Sequence, residues 1–505
     1  MKNPPLNNGD NEDRAKVNRG LAWVGASSTI VWILDIVSIF VLLNVWLPPE
    51  EMGVAVLAIT LFPVLDLIAD LGVTAAVVQR DDHDQEVLST LFWINLSISI
   101  VIFLVIWFAL GPLLVSIHNK PLVAQLLGAY GLKLMWHNIY LVPGALMKGE
   151  LRFKELSAIR TVANFADFVG KFTFAILGFG VWCLILGPFL RVLVQTIGIQ
   201  WCRPWRPAFV FRYDKTKEWL IYGIKTSASR IVYHLYTSVD YQLVSFYFGD
   251  KATGLYWCAY EIILSSCHQI AHQLQFVAFP VFSRIRSDAT KLAHQFLSLT
   301  RISLIVMIGF LCITFISAEE LMFLIWKEKG LQAVPAARIL CGVGLLRSMS
   351  FIMTSLLDAV GRPGLNLLYN SVAALVMPIL FILSAETLGD ALGYQSVAWA
   401  WVLGYPIAFA VLVKLTLNQI PTTGRQYLKT TTGIVFVSIC GLAVGFIANR
   451  LSQAMPDPLQ IACSTLVFLI AYYALLRWIL KIDIIASLTQ LKRKTSPEST
   501  DAATL

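Results

Sequence analysis

The chain has 505 residues, 57% of them hydrophobic and 14% charged, with a mean hydropathy of +0.69. Ordinary soluble domains sit near roughly 45–50% and about 25%, so soluble enzymes, disulfide-stapled secreted scaffolds and nucleic-acid binders are excluded. The 39 basic and 31 acidic residues leave a formal charge of +8, which in a membrane protein first reports which loops face the cytoplasm.

In chain order, residues 1–19 read as a hydrophilic cytoplasmic tail with no cleavable signal peptide. Six apolar blocks follow, near 20–47, 52–78, 88–115, 122–147, 154–177 and 180–201, and form an expected N-terminal bundle over 20–202. Each is long enough to cross about 30 Å of hydrocarbon as a helix. A basic linker, RPWRPAFVFRYDKTK (203–217), precedes six more blocks near 218–247, 253–282, 298–326, 332–359, 364–385 and 391–415. These make a second bundle over 218–415. Two further spans, near 430–449 and 459–480, occupy the region 416–482, and 483–505 reads as a disordered cytoplasmic tail. The expectation is an all-α protein with about fourteen transmembrane helices and connections too short for a separate domain.

Alternate loops carry the cations, from Lys2, Arg14, Lys16 and Arg19 through Lys148, Arg152 and Lys154 to Lys492, Arg493 and Lys494. The opposite loops offer little beyond Lys120, Lys251, Lys327, Lys329 and Arg450, diluted by nine acidic residues such as Glu50, Glu51 and Asp250. The positive-inside rule therefore predicts that both termini are cytoplasmic and that the number of spans is even. The eight cysteines are scattered and mostly lie in apolar blocks, so they read as small hydrophobes.

A weak repeat runs through the chain. Gly53 follows Trp46 by seven residues, as Gly254 follows Tyr247, an offset of 201. GELRFKELSAIRTVANF (149–165) resembles GRPGLNLLYNSVAAL (361–375) at a similar offset. Two six-helix halves in parallel orientation, with a cavity between them, are the physical reading.

Charge inside the spans carries the most information, because each mid-membrane Lys, Arg or Asp costs about 2.5–3.5 kcal/mol. Asp35, Asp66, Asp70, Lys133, Arg160, Asp167, Lys171, Arg191, Lys225, Arg230, Asp240 and Arg347 all fall within predicted spans. Seven are cations, and exposing all of them to lipid would cost on the order of 20 kcal/mol. They must therefore face one another or water. Asp167 and Lys171 are four apart and suit an ion pair within one helix. Arg160 and Lys225 stand near the cytoplasmic ends and are able to snorkel. Lys133, Arg191, Arg230 and Arg347 have no acid one turn away, which favours a cavity role. His268 and His272 lack a third metal ligand. A cavity lined by cations selects an anionic guest, and phosphate suits both Arg and Lys. No phosphate-cradling loop, nucleophile elbow or large extramembrane loop points to an enzyme.

Several segments resemble one family. DLGVTAAVVQRDDHDQEVLSTLFWINL (70–96), GFGVWCLILGP (178–188), VDYQLVSFYFGDKATGLYWCAYEI (239–262), FPVFSRIRSD (279–288) and DAVGRPGLN (358–366) look like the polysaccharide transporter family. These are Wzx-type flippases for lipid-linked oligosaccharides, in the superfamily that also holds the MATE exporters and peptidoglycan lipid flippases. The colanic-acid and exopolysaccharide exporter branch is the most similar. The resemblance implies two six-helix bundles in a V, two peripheral C-terminal helices and alternating access in a bacterial inner membrane. It implies an undecaprenyl-pyrophosphate-linked repeat unit as substrate, carried to the periplasmic leaflet for exopolysaccharide or lipopolysaccharide assembly. Membrane lipid, a polysaccharide polymerase and chain-length machinery are the implied partners, without nucleic acid. No bound cofactor is expected. Lys133, Arg191, Arg230, Arg347, Arg160 and Lys225 are the candidate substrate-binding residues. Proton or sodium coupling would fall to Asp35, Asp66 and Asp70. The rival reading, a MATE-like exporter of organic cations, wants an acidic cavity.

Overall fold

The computed structural model describes residues 8–70, 72–74, 77 and 84–481; side chains at 8–22, 24, 26, 222, 225, 226, 276 and 277 lie outside the description. Every regular element among the described residues is helical. They are α1 Asn8–Val45, α2 Pro49–Ile59, α3 Phe62–Asp70, α4 Gln85–Val105, α5 Gly111–His118, α6 Pro121–Gly149, α7 Phe153–Ile176 and α8 Cys183–Cys202. Then come α9 Tyr213–Tyr260, α10 Ser266–Ile285, α11 Ala289–Ile316, α12 Ala318–Trp326, α13 Val334–Ala359, α14 Pro363–Leu392, α15 Gln395–Leu417, α16 Gly424–Leu451 and α17 Asp457–Ile479. Ten stretches among the described residues are long and apolar enough to cross a membrane. The chain is a multi-pass membrane protein.

Local chemistry sets the element boundaries. The expected second span breaks into α2 and α3 because Pro63 has no amide to continue the ladder. The Thr60 hydroxyl bonds back to the Val56 carbonyl at 2.8 Å, and the Thr60 carbonyl accepts from Ser238 at 2.7 Å. The expected seventh and eighth spans join without a loop. Gly249, at φ 81° and ψ −179°, kinks α9 between them, a conformation that costs a side-chain-bearing residue dearly. Asp84 caps α4 by accepting from the Glu86 amide at 3.0 Å. A capping box formed by Thr423 and Gln426 starts α16.

The chain forms two compact units. One holds Met1–Glu261, Met322–Ala336 and Pro363–Ala408, and the other Ile262–Leu321, Ala337–Arg362 and Phe409–Leu505.

In the first unit, the repeat at offset 201 becomes a physical crossing. A Cβ placed on Gly53 of α2 would strike the backbone of Asp250, and one on Gly254 of α9 would strike the backbone of Pro49. Pro49 and Asp250 are themselves 201 apart, so each half supplies a glycine to the other half's helix start. Ion pairs flank the crossing: Lys120 to Asp250 at 2.5 Å and Lys329 to Glu50 at 3.8 Å.

The basic linker expected over 203–217 is shorter, because 213–217 already belong to α9, and 203–212 is a strap laid along α4. Gln85, Ser89, Thr90 and Trp93 share one face of that helix by their spacing. Gln85 donates to the Arg206 carbonyl (2.8 Å), Trp93 to the Ala208 carbonyl (2.9 Å), and Ser89 and Thr90 accept from the Ala208 and Arg212 amides (2.9 Å each). Trp205 inserts into a core with Phe92, Leu88, Leu141 and Trp219.

The second unit has a polar centre of its own. Glu320 is buried and accepts from Asn449 at 2.9 Å and from Gln460 at 2.6 Å, joining α12, α16 and α17.

Candidate functional site

Five helices of the first unit, α1, α3, α6, α7 and α8, bring the intramembrane charges together. On α6, Lys133 is 5% exposed and lies 3.6 Å from Asp66 of α3. Tyr130, one turn before it, bridges the two: its hydroxyl donates to Asp66 at 2.6 Å and accepts from Lys133 at 2.9 Å. The Phe62 ring stacks on Tyr130 with centroids 3.5 Å apart, which fixes the phenol.

On α7, Asp167 is 1% exposed and meets Lys171 at 3.2 Å and Arg191 of α8 at 3.3 Å. Neither carboxylate oxygen has an aligned hydrogen bond. Charge rather than directional bonding holds the group. Gly187 of α8 permits this approach, since a Cβ there would lie 2.5 Å from both the Asp167 carboxylate and the Lys171 side chain. Arg191 also faces the Asn164 amide oxygen at 3.4 Å. Asp35 of α1 is half-buried and within electrostatic reach of Lys171, Arg191, Asp167 and Arg160.

The network thus sets four cations, Lys133, Arg160, Lys171 and Arg191, against three carboxylates, Asp35, Asp66 and Asp167. Lys133 and Arg191, which look unpaired along the sequence, find their acids on neighbouring helices. Removing a partner would strand a buried charge, which typically costs about 3–5 kcal/mol. What remains is a small positive surplus.

The other candidates are placed separately. Asp70 accepts from the Thr74 amide (3.2 Å) and hydroxyl (3.0 Å). Arg160 is exposed and lines a cavity of about 440 Å³ between α6, α7 and α8. Arg230 is exposed on α9, and the Lys225 side chain lies outside the described residues. Arg347 is buried in the second unit, 6% exposed.

Sequence reasoning missed Tyr130, although its i, i+3 spacing to Lys133 is a usable signal. It also left Asp240 without a role. That carboxylate is fully buried and accepts from the Tyr241 amide (2.9 Å), the Tyr256 hydroxyl (2.9 Å) and the Trp401 indole (3.0 Å). A carboxylate ringed by neutral donors on α9 and α15 ties those helices together.

Residues 43–335 match the family described as "Polysaccharide biosynthesis protein". The chain belongs to this family. It is 26% identical to the teichuronic acid biosynthesis protein TuaB of Bacillus subtilis over 80% of its length and 84% of that protein's. It is 25% identical to the lipopolysaccharide biosynthesis protein WzxC of Escherichia coli, over 86% and 87% respectively. Among solved structures, the lipid II flippase MurJ in an inward closed conformation superposes with a TM-score of 0.66, at 15% identity, covering 90% of this chain and 99% of that one. The fold is the one MurJ shows.

Proposed function

We propose that this protein is a flippase for an undecaprenyl-pyrophosphate-linked oligosaccharide repeat unit, carrying it from the cytoplasmic to the periplasmic leaflet of a bacterial inner membrane. The product would feed exopolysaccharide or lipopolysaccharide assembly. The observation that carries this reading is the charged network of α6, α7 and α8: cations held at membrane depth, partly satisfied by carboxylates and with charge to spare for an anionic headgroup. An exporter of organic cations would want the opposite balance.

The helix inventory supports fourteen spans. To the ten apolar stretches are added α6, α7 and the two legs of α9, the second continuing into α10. Charge keeps these four off an apolar count while their length suffices. An even number agrees with cytoplasmic termini. Two six-helix bundles in a V, plus α16 and α17, remain the arrangement we favour.

In this reading Lys133, Arg160 and Arg191 grip the pyrophosphate, and Arg230, Arg347 and Lys225 supply further positive charge along the route. Asp66 and Asp35 act as coupling acids, with Asp70 in reserve. A coupling cation bound at Asp66 would free Lys133 for substrate, and its release would let Asp66 take Lys133 back. The glycine crossing of α2 and α9, with its two ion pairs, seals the periplasmic end while the cytoplasmic end receives substrate. Alternating access then requires that seal to part.

Deleting the gene in its host tests the function. Loss of surface polymer together with lipid-linked repeat units retained on the cytoplasmic leaflet is the expected result. Normal polymer with new sensitivity to cationic drugs would overturn it.

A further inference from the structure

The cavity between α6, α7 and α8 is separate from the Lys133 and Asp167 pairs and has a mixed lining. Lys148, at the end of α6, and Arg160, on the second turn-pair of α7, both line it, and both side chains are exposed. They come from opposite sides of the short 150–152 connection, so the α6–α7 corner fixes their spacing. Gln195 and the His137–Tyr140 pair, whose ring nitrogen and hydroxyl are 2.8 Å apart, line it as well. The lining also includes the apolar Leu141, Phe153, Leu156 and Ile199. Asp70 is the carboxylate within electrostatic reach of Lys148, but the amide and hydroxyl of Thr74 already occupy one of its oxygens. Two cations therefore line the cavity, Lys148 within electrostatic reach of Asp70 and Arg160 within reach of Asp35.

The volume, about 440 Å³, falls within the ~300–1,000 Å³ of small-molecule sites. Half polar and basic, half apolar, it matches an amphiphile: a phosphate-bearing head beside the first units of a hydrocarbon tail. Lys supplies a point charge and Arg a fork that fits phosphate oxygens in pairs.

We infer that this cavity is the first station for the substrate, where Lys148 and Arg160 take the pyrophosphate of the polyprenyl carrier before it passes to the deeper cations. The inference rests on the flippase reading and assigns Lys148, otherwise a topology-setting loop cation, a place in substrate capture. Bulk anionic phospholipid carries related chemistry, and the test separates the two.

Full-length protein in phosphatidylcholine nanodiscs is titrated with farnesyl pyrophosphate. Saturable binding that weakens with salt is expected, falling about tenfold in Lys148→Gln and in Arg160→Gln, as for loss of one charge-assisted hydrogen bond. Lys414→Gln, far along the chain on α15, retains wild-type affinity. Lys148→Arg and Arg160→Lys keep most of the binding, and monodisperse elution confirms that each variant is folded. Undiminished binding in both glutamine variants would overturn the assignment. So would displacement of the ligand by phosphatidylglycerol at equal concentration, which would mark a site for bulk lipid. The deletion strain separates the two failures. Retained lipid-linked intermediate there with unaltered binding here leaves the flippase standing and removes only this station.

Discussion

The crossing of α2 with the second leg of α9 and the charged network of α6 to α8 belong to the same unit, yet they are specified by different physics. At the crossing, Gly53 and Gly254 let backbone lie on backbone, and any Cβ meets main-chain atoms that cannot swing aside. In the network, long flexible side chains satisfy charge, and Asp167 holds two cations without one aligned hydrogen bond. The first region is limited by shape and the second by charge balance. A transporter has use for both: a seal that is either closed or open, and a polar surface whose partners can be exchanged for those of a substrate.

This contrast orders the predictions. Gly53→Leu or Gly254→Leu should have the largest effect, because the helices would have to separate across their whole contact. We expect little folded protein in membranes, read by fluorescence-detected size exclusion, whereas Gly342→Leu serves as the control, since nothing lies within 4 Å of that helical position. Asp167→Ala follows, with about 3–5 kcal/mol lost by stranding Lys171 and Arg191. The double change Asp167→Ala/Lys171→Met should recover part of that loss in thermal denaturation. If the double variant is no better than the single one, charge balance is not what limits this region. Tyr130→Phe is milder, about 1.5–3 kcal/mol, since it removes one hydroxyl that serves both Asp66 and Lys133.

The smallest effect should come at the strap. The Glu86 backbone amide, and then Lys215, hold the Asp84 carboxyl below its ordinary value of 3.8. Donating hydrogen bonds to the Glu86 and Asp84 carboxylates raises the Lys215 ammonium above 10.5. A lowered carboxyl contributes above its ordinary value and loses that contribution as pH falls through the lowered one. A raised ammonium contributes below its ordinary value and loses it as pH rises through the raised one. The strap should therefore stay seated from about pH 4 to about pH 10 and loosen only outside that window. Limited proteolysis within 206–212, repeated at pH 7 and pH 3, measures this. Equal cleavage at both would remove the latch.

Much of the architecture was legible in the sequence. Hydropathy gives helices and their order because twenty apolar residues have few other uses, and the offset between Gly53 and Gly254 marked the two glycines that lie against the backbones of Asp250 and Pro49. The segments that resembled Wzx-type transporters lie largely within the matched family region. The partners of the buried charges were not legible. Hydropathy reports the cost of burying Lys133 or Arg191 but not which helix brings Asp66 or Asp167 to them, because neighbours in a bundle are distant in the chain. For the same reason the strap on α4 was hidden: its hydrogen bonds run from side chains of 85–93 to a backbone more than a hundred residues later. The joining of the seventh and eighth spans turned on one glycine conformation, at Gly249.

The most direct test of the central claim is the leaflet in which the lipid-linked repeat unit resides when the network is altered. Spheroplasts of the deletion strain are complemented with wild-type protein, Lys133→Gln or Arg191→Gln at matched membrane levels, and the intermediate is labelled from outside with an impermeant reagent. The account predicts labelling with wild type and little labelling with either variant, while total intermediate rises. Equal labelling in all three would contradict it.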